Sequence, residues 1–153
     1  MVAIEYLADH PEYIPIVAHW HQAQWGYLDV DRTLEKRIEE LQEHLERGRI
    51  PTTFAAIHRG VPVGCASLIA HDMDTRVLLT PWLASLYVIP QQRRQGIGGA
   101  LVRRVVEEAR ALNVPTLYLF TEDREDFYAR RGWSVLDRLT YRGSPVVLMT
   151  LNP

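Results

Sequence analysis

The stretch Leu86–Leu101 reads LYVIPQQRRQGIGGAL. An apolar run ends at Pro90, a short basic segment follows, and three glycines within Gly96–Gly99 precede an amphipathic run. This order predicts a strand, a glycine-rich loop and the first turn of a helix. Such a loop exposes backbone N–H groups at the positive end of the helix, so it predicts a phosphate or pyrophosphate site. Arg93 and Arg94 can add full positive charges to that site.

The size and the cysteine usage of the chain limit what it can be. Its 153 residues are enough for one domain with a substantial core, and we expect residues 1–153 to form a single domain. No apolar run approaches the length that spans a membrane, and the first residues lack the basic-then-apolar order of a signal peptide. Cys65 is the single cysteine, which excludes an internal disulfide and a cysteine-based zinc site. These features predict a cytoplasmic protein with no membrane partner.

Charge is distributed unevenly along the chain. The formal net charge of −2 argues against general binding of nucleic acid. Residues 1–74 hold 12 acidic and 6 basic side chains, a balance of −6, whereas residues 75–153 hold 7 acidic and 11 basic ones, a balance of +4. The C-terminal half therefore suits an anionic ligand, and the N-terminal half suits a cationic one.

The residues around the glycine loop predict an α+β fold. The apolar run before the loop and Thr116–Phe120 after the helix form a β–loop–α–β unit, which places two strands parallel in one sheet. Along the whole chain the predicted order is β α α β β β α β α β β, which indicates a mixed sheet. Asp31 is the expected N-cap of the second helix, and Asp123 is that of the short helix before Gly132.

Two common glycine loops do not fit this stretch. A P-loop places a lysine and then a serine or threonine after its last glycine, but Ala100 and Leu101 stand there. A dinucleotide-binding loop has a third glycine where Leu101 stands, and an acidic residue about 20 positions further on. The strand at that distance carries Tyr118–Phe120 and no carboxylate. The sequence therefore disfavours both an NTPase and a nicotinamide cofactor.

Two motifs resemble those of the GNAT acetyltransferase family. Arg93–Gly98 reads RRQGIG and is similar to the pyrophosphate loop of that family, Q/R-x-x-G-x-G/A. Phe127–Trp133 reads FYARRGW and is similar to its second signature, F/L-Y-x-x-x-G-F/W. The predicted element order also follows the GNAT pattern along essentially the whole chain. The resemblance implies a central, mixed, mostly antiparallel and twisted sheet with splayed parallel strands and flanking helices.

The resemblance also implies a reaction and a co-substrate. GNAT enzymes transfer an acetyl group from acetyl-CoA directly to an acceptor, which is usually an amine. Pantetheine would lie between the splayed strands and pair with the backbone of Leu86, Tyr87 and Val88. The pyrophosphate would meet the loop made of Arg93, Arg94, Gln95, Gly96, Ile97, Gly98, Gly99 and Ala100. Thr121 stands where the family frequently has an asparagine, and its hydroxyl would contact pantetheine.

The catalytic acid implied by the resemblance is Tyr128. The matching tyrosine of GNAT enzymes lies near the CoA sulfur and donates a proton or a hydrogen bond to the departing thiolate. A phenol with a pKa near 10 suits that role. Neighbouring residues on a helix point in different directions, so we expect Phe127 to be the core residue and Tyr128 the functional one.

The general base is not identified by the sequence. The expected donor strand, Trp82–Val88, carries no carboxylate. His71, Asp72, Asp74 and Glu122 remain as alternatives. The missing carboxylate also leaves a second function open, that of a non-catalytic sensor module that binds acyl-CoA on the same fold.

The segment between the first two helices lines the acceptor site in GNAT enzymes. Trp25 and Tyr27 fall there, and their aromatic rings in the acidic half of the chain would suit a small cationic amine. They are equally well explained as aromatic residues of the core or its rim. The histidines show no metal-ligand spacing, so no metal is expected. A homodimer through an edge strand or the C-terminal hairpin is compatible with this element order.

Overall fold

A seven-stranded sheet organises the chain, and the computed structural model describes residues 2–153. The strand order across the sheet is β1-β2-β3-β4-β5-β7-β6. The strands are β1 (Ala3–Tyr6), β2 (Thr52–His58), β3 (Val61–Ile69), β4 (Trp82–Val88), β5 (Leu117–Thr121), β6 (Ser134–Tyr141) and β7 (Ser144–Leu151). The helices are α1 (Ile14–Trp25), α2 (Leu34–Glu43), α3 (Ile97–Ala111) and α4 (Glu125–Ala129). The expected α+β architecture is confirmed.

The one parallel pair of the sheet separates almost at once. β4 and β5 are in register at Trp82 and Tyr118 only, whereas every other neighbouring pair is antiparallel and longer. β5 is instead paired along its whole length with β7. The two parallel strands therefore diverge towards their carboxyl ends, as the family resemblance implies.

A bulge in β4 accompanies this divergence. Between the pairs Cys65–Tyr87 and Ser67–Ala84, β3 contributes one residue and β4 contributes two. Ser85 has a φ of 58°, which non-glycine residues rarely adopt. An extra residue bends a strand and increases its twist, so the bulge turns the end of β4 away from β5.

The two faces of the sheet pack against different helices. α3 covers one face, where Leu101 and Val105 pack against Phe54 of β2. α1 and α2 cover the other face, where Val17 and Leu41 pack against residues of β2 and β3. Burial of each such aliphatic or aromatic side chain contributes roughly 1.5–3 kcal/mol. The central strands are therefore held from both sides, which fixes the position of β4.

Two of the expected helix caps are wrong. Thr33, not Asp31, caps α2, and its Oγ1 accepts a hydrogen bond of 3.1 Å from the N–H of Lys36. α4 begins after Arg124 and no side chain caps it, so Asp123 is not its N-cap. The N-cap of α2 lies two residues after the expected one, and that of α4 lies one residue after it.

Two further features are absent from residues 2–153, a membrane-spanning helix and a cluster of metal ligands. Of the helices within residues 2–153, none has the length and apolar character needed to cross a membrane. The same residues contain no group of three or more histidine, cysteine or acidic side chains placed to hold a metal ion. β1 and β6 are the edge strands of the sheet, and a homodimer through an edge strand or the C-terminal hairpin stays a prediction.

Candidate active site

The start of α3 presents a row of unpaired backbone N–H groups. Gly96 precedes the helix with a φ of 84°, a conformation that glycine adopts without strain. The first helical hydrogen bond runs from the N–H of Ala100 to the carbonyl of Gly96, over 3.1 Å. No backbone hydrogen bond from the N–H groups of residues 95–99 is present in the described part of the chain. These groups, at the positive end of a 15-residue helix, form a cradle for an anion.

Ala100 differs from the other residues of the predicted loop. Its N–H already donates to the carbonyl of Gly96, so a contact from Ala100 to the pyrophosphate stays a prediction. Ile97 contributes only its N–H, since its side chain is buried in the core. The unpaired N–H groups of the cradle therefore lie between Arg94 and Gly99.

The glycines of the first turn also let α4 approach α3. A Cβ atom on Gly98 would lie 3.4 Å from Cζ of Phe127, and one on Gly99 would lie 2.8 Å from Nη2 of Arg131. The Arg131 guanidinium in turn covers the Phe127 ring, with Cζ 3.8 Å from the ring centroid. Phe127 and Arg131 therefore pack closely over the first turn of α3, and a larger residue at Gly99 would displace the Arg131 guanidinium.

Arg93 points back to the donor strand rather than into the cradle. Its Nε–H donates a hydrogen bond of 2.8 Å to the carbonyl of Val88, and its guanidinium lies 5.5 Å from the centroid of the Tyr87 ring. Arg94 and Gln95 are exposed, and Arg94 has a φ of 64°. Arg94 is therefore the basic side chain that is left without a partner in residues 2–153 at the rim of the cradle.

The backbone of Val88 faces the gap between the splayed strands. Val88 is in register with Gly64, and the next residue, Ile89, donates its N–H to the carbonyl of Val63. Because bonded and non-bonded pairs alternate in an antiparallel ladder, the N–H and carbonyl of Val88 point away from β3. Half-buried Leu86 and Tyr87 precede it on the same strand. The predicted pantetheine strand therefore has a free edge where β5 has diverged.

Tyr128 is almost fully buried in the core. Only 6% of it is exposed, and its ring contacts those of Phe127 and Trp133, with centroids 5.0 and 6.1 Å away. Phe127 is half-buried and packs against the same core cluster, so both rings contribute to the core, and the functional role of Tyr128 stays a prediction. Burial raises the pKa of Tyr128 above its ordinary value. The phenol is therefore a neutral hydrogen-bond donor at physiological pH.

Thr121 uses its hydroxyl oxygen within the protein. Its Oγ1 accepts a hydrogen bond of 3.0 Å from the N–H of Arg124 and so shapes the turn from β5 to α4. Its hydroxyl hydrogen and the second lone pair of the oxygen remain for a ligand. A contact from Thr121 to pantetheine stays a prediction.

The two aromatic residues predicted at the acceptor site differ in their surroundings. Trp25 is half-buried and packs against His21 and Tyr87, at centroid distances of 5.5 and 6.4 Å. Tyr27 is 61% exposed, and its hydroxyl donates to both oxygens of Glu122, over 3.0 and 3.2 Å. Trp25 thus touches the donor strand, whereas Tyr27 connects the α1–α2 segment to the end of β5.

Three loops meet on the face of the sheet that α1 and α2 cover. Asp74, in the β3–β4 loop, accepts hydrogen bonds from Tyr141 and Arg142, over 3.2 and 3.1 Å. Arg142, at the β6–β7 turn, also pairs with Asp29 of the α1–α2 segment at 3.5 Å. Sequence reasoning missed Asp29 and Arg142, because only the fold brings these distant segments together.

Asp72 differs from the other candidate bases. Asp74 is bound by Tyr141 and Arg142, and Glu122 is bound by Tyr27. Asp72 is half-buried and has neither a hydrogen bond nor an ion pair within residues 2–153. Burial raises the pKa of Asp72 to about 6, against the opposing charges of Arg32 and Arg142. A carboxylate with this pKa can exchange protons near neutral pH.

The comparison with protein families agrees with this geometry. The family model described as Acetyltransferase (GNAT) family matches residues 14–133, which contain both motifs and the cradle. The chain belongs to the GNAT acetyltransferase family. The resemblance stated from the sequence is thereby confirmed.

Curated relatives of this GNAT chain are named amino-acid acetyltransferases. One from Pseudomonas syringae pv. syringae is 33% identical over 122 residues, which is 74% of this chain and 26% of that protein. Another from Ralstonia nicotianae is 30% identical over 107 residues, 69% of this chain and 22% of that protein. The chain therefore spans about a quarter of the length of these relatives.

Solved structures share the GNAT fold across the whole chain. A protein of Exiguobacterium sp. 255-15, assigned as an acetyltransferase, is 26% identical with a TM-score of 0.69 and covers 99% of this chain and 93% of its own. An aminoglycoside 6'-N-acetyltransferase complexed with coenzyme A has a TM-score of 0.77 at 17% identity, and the match covers 98% of this chain and 96% of that one. A Salmonella typhimurium protein assigned as an acetyltransferase, solved with acetyl-CoA, has a TM-score of 0.74 at 16% identity. The match covers 99% of this chain and 93% of that one. Acetyl-CoA is the co-substrate of this family, as the sequence predicts.

Proposed function

We propose that this GNAT domain is an N-acetyltransferase that passes the acetyl group of acetyl-CoA directly to the nitrogen of a small amine. The observation that carries the proposal is the position of the anion cradle directly after β4, the strand that diverges from β5 after one residue pair. A cradle binds the pyrophosphate, and the gap admits the pantetheine arm. The name of the curated relatives supports a small amine as the acceptor.

Donor binding would use mainly backbone groups. Pantetheine amides would pair with the free edge of Leu86–Val88, as a strand pairs with a sheet edge. The carbonyl of Val88 is held by Arg93 in the free protein, so the arm would displace that guanidinium. Arg93 would then be available to the pyrophosphate, next to the N–H groups of residues 94–99.

In the reaction the amine nitrogen attacks the thioester carbon. The carbonyl oxygen gains negative charge, and the N–H of Val88, which faces the gap, would stabilise it. The carbon–sulfur bond then breaks, and the phenol of Tyr128 would donate a hydrogen bond to the departing thiolate. The raised pKa of Tyr128 supports this role, because the phenol keeps its proton until the thiolate forms.

An acceptor that arrives as an ammonium ion must lose a proton before its nitrogen can attack the thioester, and we propose that Asp72 accepts this proton. Among the four candidates, Asp72 combines partial burial with a carboxylate that no side chain occupies. With a pKa of about 6 it is ionised at neutral pH and ready to accept a proton. The rate should therefore rise with pH between about 5 and 7.

Release of CoA thiol from acetyl-CoA with a panel of amines tests the function. The expected result is amine-dependent thiol release, with one acetylated amine formed per thiol. Binding of acetyl-CoA in calorimetry without release for any amine would instead support the sensor module. Absence of acetyl-CoA binding would contradict both functions.

A further inference from the structure

Arg131 is a basic residue that follows α4 and lies against the first turn of α3. A Cβ atom on Gly99 would lie 2.8 Å from Nη2 and 3.0 Å from Nε of Arg131. The Cα–Cβ bonds of a helix tilt towards the N-terminus of that helix. The guanidinium therefore lies on the N-terminal side of Gly99, beside the unpaired N–H groups of the cradle.

The orientation of this guanidinium is fixed by Phe127 on α4. Nη1 of Arg131 donates a hydrogen bond of 2.8 Å to the carbonyl of Phe127, and Cζ of Arg131 lies 3.8 Å from the centroid of the Phe127 ring. The ring itself packs over the first turn of α3, where a Cβ atom on Gly98 would lie 3.4 Å from Cζ of Phe127. Because one bond and one stacked ring already hold the guanidinium plane, a ligand that binds it has little side-chain freedom to remove.

The edge of the guanidinium that faces α3 has no partner in the protein. Within residues 2–153, Nε and Nη2 of Arg131 make no hydrogen bond, and the side chain forms no ion pair. Two parallel N–H groups of a guanidinium form the fork that binds two oxygens of a phosphate. Arg131 is exposed, so this fork is accessible to a ligand that lies in the cradle.

Electrostatics within the free protein does not explain the position of Arg131. The first turn of α3 carries the positive end of the helix dipole, so it repels a guanidinium that lies beside it. No carboxylate in the described part of the chain pairs with Arg131 to offset this repulsion. An anion bound between the helix and the guanidinium would be attracted by both.

We propose that Arg131 binds the pyrophosphate of acetyl-CoA, so that the segment with the tyrosine motif supplies a phosphate ligand to the glycine loop. The proposal rests on the proposed acetyl transfer and extends its donor site beyond the loop. Gly99 has a defined part in it, because a side chain at this position would displace the guanidinium. Arg131 contacts the co-substrate away from the thioester, so it is a binding residue and takes no part in the chemical step.

Acetyl-CoA carries a further phosphate on its ribose, and a guanidinium can bind either group. The position of Arg131 favours the pyrophosphate, because its free edge faces the same first turn of α3 that presents the unpaired N–H groups. Binding to the ribose phosphate is therefore the competing outcome that an experiment must distinguish.

The test compares ligands that differ in their phosphates. Calorimetry gives the dissociation constants of CoA, of dephospho-CoA, which lacks the ribose phosphate, and of pantetheine, which lacks every phosphate and is measured by displacement with CoA. The variants are Arg131→Gln, which removes the charge and the fork, and Arg131→Lys, which keeps the charge alone. Arg110→Gln is the control, because Arg110 is exposed in the last turn of α3, about 16 Å along the helix from Gly99.

We expect Arg131→Gln to raise the dissociation constants of CoA and dephospho-CoA by about 10-fold each, because both ligands retain the pyrophosphate. The dissociation constant of pantetheine, and that of CoA for Arg110→Gln, should change by less than about 2-fold. Arg131→Lys should fall between the wild type and Arg131→Gln. A loss for CoA alone would assign Arg131 to the ribose phosphate and overturn the proposal, and so would unchanged binding of both nucleotides.

Gly99→Ala tests the geometry of the contact. The added methyl group should displace the guanidinium and weaken CoA binding by a factor similar to that of Arg131→Gln. In the double variant the two losses should overlap, because the second substitution removes a contact that the first has already broken. Fully additive losses would show that the two residues act independently, which would overturn the proposal.

A stability measurement separates binding from a structural role. Arg131 is exposed and forms one hydrogen bond in the protein, so Arg131→Gln should change Tm by less than about 4 °C. A lower Tm together with equal losses for CoA and pantetheine would mean that Arg131 is structural.

Calorimetry and thiol release together keep the two proposals distinct. If CoA binds the wild type more tightly than Arg131→Gln but no amine releases thiol from acetyl-CoA, the role of Arg131 stands and the acetyl transfer fails. If thiol is released and CoA binds both proteins equally, the transfer stands and the role of Arg131 fails. Absence of both binding and release would overturn both.

Discussion

The proposed donor side and the proposed acceptor side of this domain are built from different chemical groups, mainly backbone in the first and side chains in the second. The proposed donor side consists mainly of backbone: the N–H groups before α3 and the free edge of β4. The proposed acceptor side consists of side chains, in which Asp72 is free whereas Asp74 and Arg142 are paired. A site made of backbone needs particular glycines in one short stretch, whereas a site made of side chains needs segments that meet only after folding.

The largest expected effect is on the rate of acetyl transfer and leaves the binding of acetyl-CoA unchanged. Tyr128→Phe removes the one polar atom of a buried ring, so the packing with Phe127 and Trp133 is retained. We expect kcat to fall about 100-fold or more, because the thiolate loses its hydrogen-bond donor. The dissociation constant of acetyl-CoA, measured by calorimetry, should stay within about 2-fold. Unchanged turnover with a good acceptor would remove Tyr128 from the mechanism.

The next effect compares a Cβ atom added at two glycines. At Gly64 it would meet the backbone of β4, and at Gly26 it would meet a side chain of α1. A Cβ on Gly64 would lie 2.8 Å from the carbonyl oxygen of Tyr87, so Gly64→Ala must shift β4. We expect a loss of about 2 kcal/mol in the free energy of unfolding and weaker acetyl-CoA binding. Gly26→Ala is the matched control, since its Cβ would meet only the flexible end of Gln22, 3.2 Å away. Denaturant unfolding of both variants makes the comparison, and equal stabilities would refute it.

A pH-dependent effect tests the acceptor side. The pKa of Asp72 is raised to about 6, so the folded state binds its proton more tightly than the unfolded state does. Ionised Asp72 therefore costs stability above pH 6, and the cost disappears as the pH falls through 6 towards 4. Asp72→Asn should raise the free energy of unfolding by about 2 kcal/mol at pH 8 and change it little at pH 4.

The same variant should lose activity while it gains stability. If Asp72 accepts the proton of the acceptor, kcat/KM at pH 7 falls and its rise between about pH 5 and 7 is lost. Circular dichroism melts at pH 4 and pH 8 and initial rates across this range provide the measurements. A stability gain that persists at pH 4 would contradict the assigned titration.

The smallest expected effect concerns the start of α2. Thr33 caps α2 through the N–H of Lys36, so Thr33→Ala should lower the free energy of unfolding by about 1 kcal/mol. Asp31→Ala should have almost no effect on it, because Asp31 lies outside the cap. Acetyl-CoA binding should be unchanged in both variants. Chemical denaturation distinguishes the two residues, and the reverse order would restore the cap expected from the sequence.

The sequence could predict the glycine loop and the strand before it because each of their signals is local. Pro90 and the three glycines lie within Leu86–Leu101, and the tyrosine motif follows in Phe127–Trp133. The sequence could not predict two contacts there: the N–H of Ala100 donates within the helix, and Arg93 donates to the carbonyl of Val88. Both depend on where the helix begins, which a pattern places only to within a few residues.

The acceptor side could not be found this way because its members are far apart in the chain. Asp29 and Arg142 pair only because the fold brings their loops together. Asp72 is one of four alternatives in the sequence, and the hydrogen bonds of Asp74 and Glu122 set it apart only in the folded structure. Burial and pairing are properties of the packed structure, so the sequence could not supply the observations on which the proposal for Asp72 rests.

The amino-acid sequence by itself determined the family, the co-substrate and the glycine loop, because backbone recognition of a phosphate imposes residue types at fixed short spacings. The tertiary structure decided that Tyr128 is buried, that β4 leaves β5 after one pair, and that Arg142 pairs with both Asp29 and Asp74 where three loops meet. The physical reason is the range of the interactions. Hydrogen bonds along a turn act between neighbours in the chain, whereas desolvation and charge act between neighbours in space.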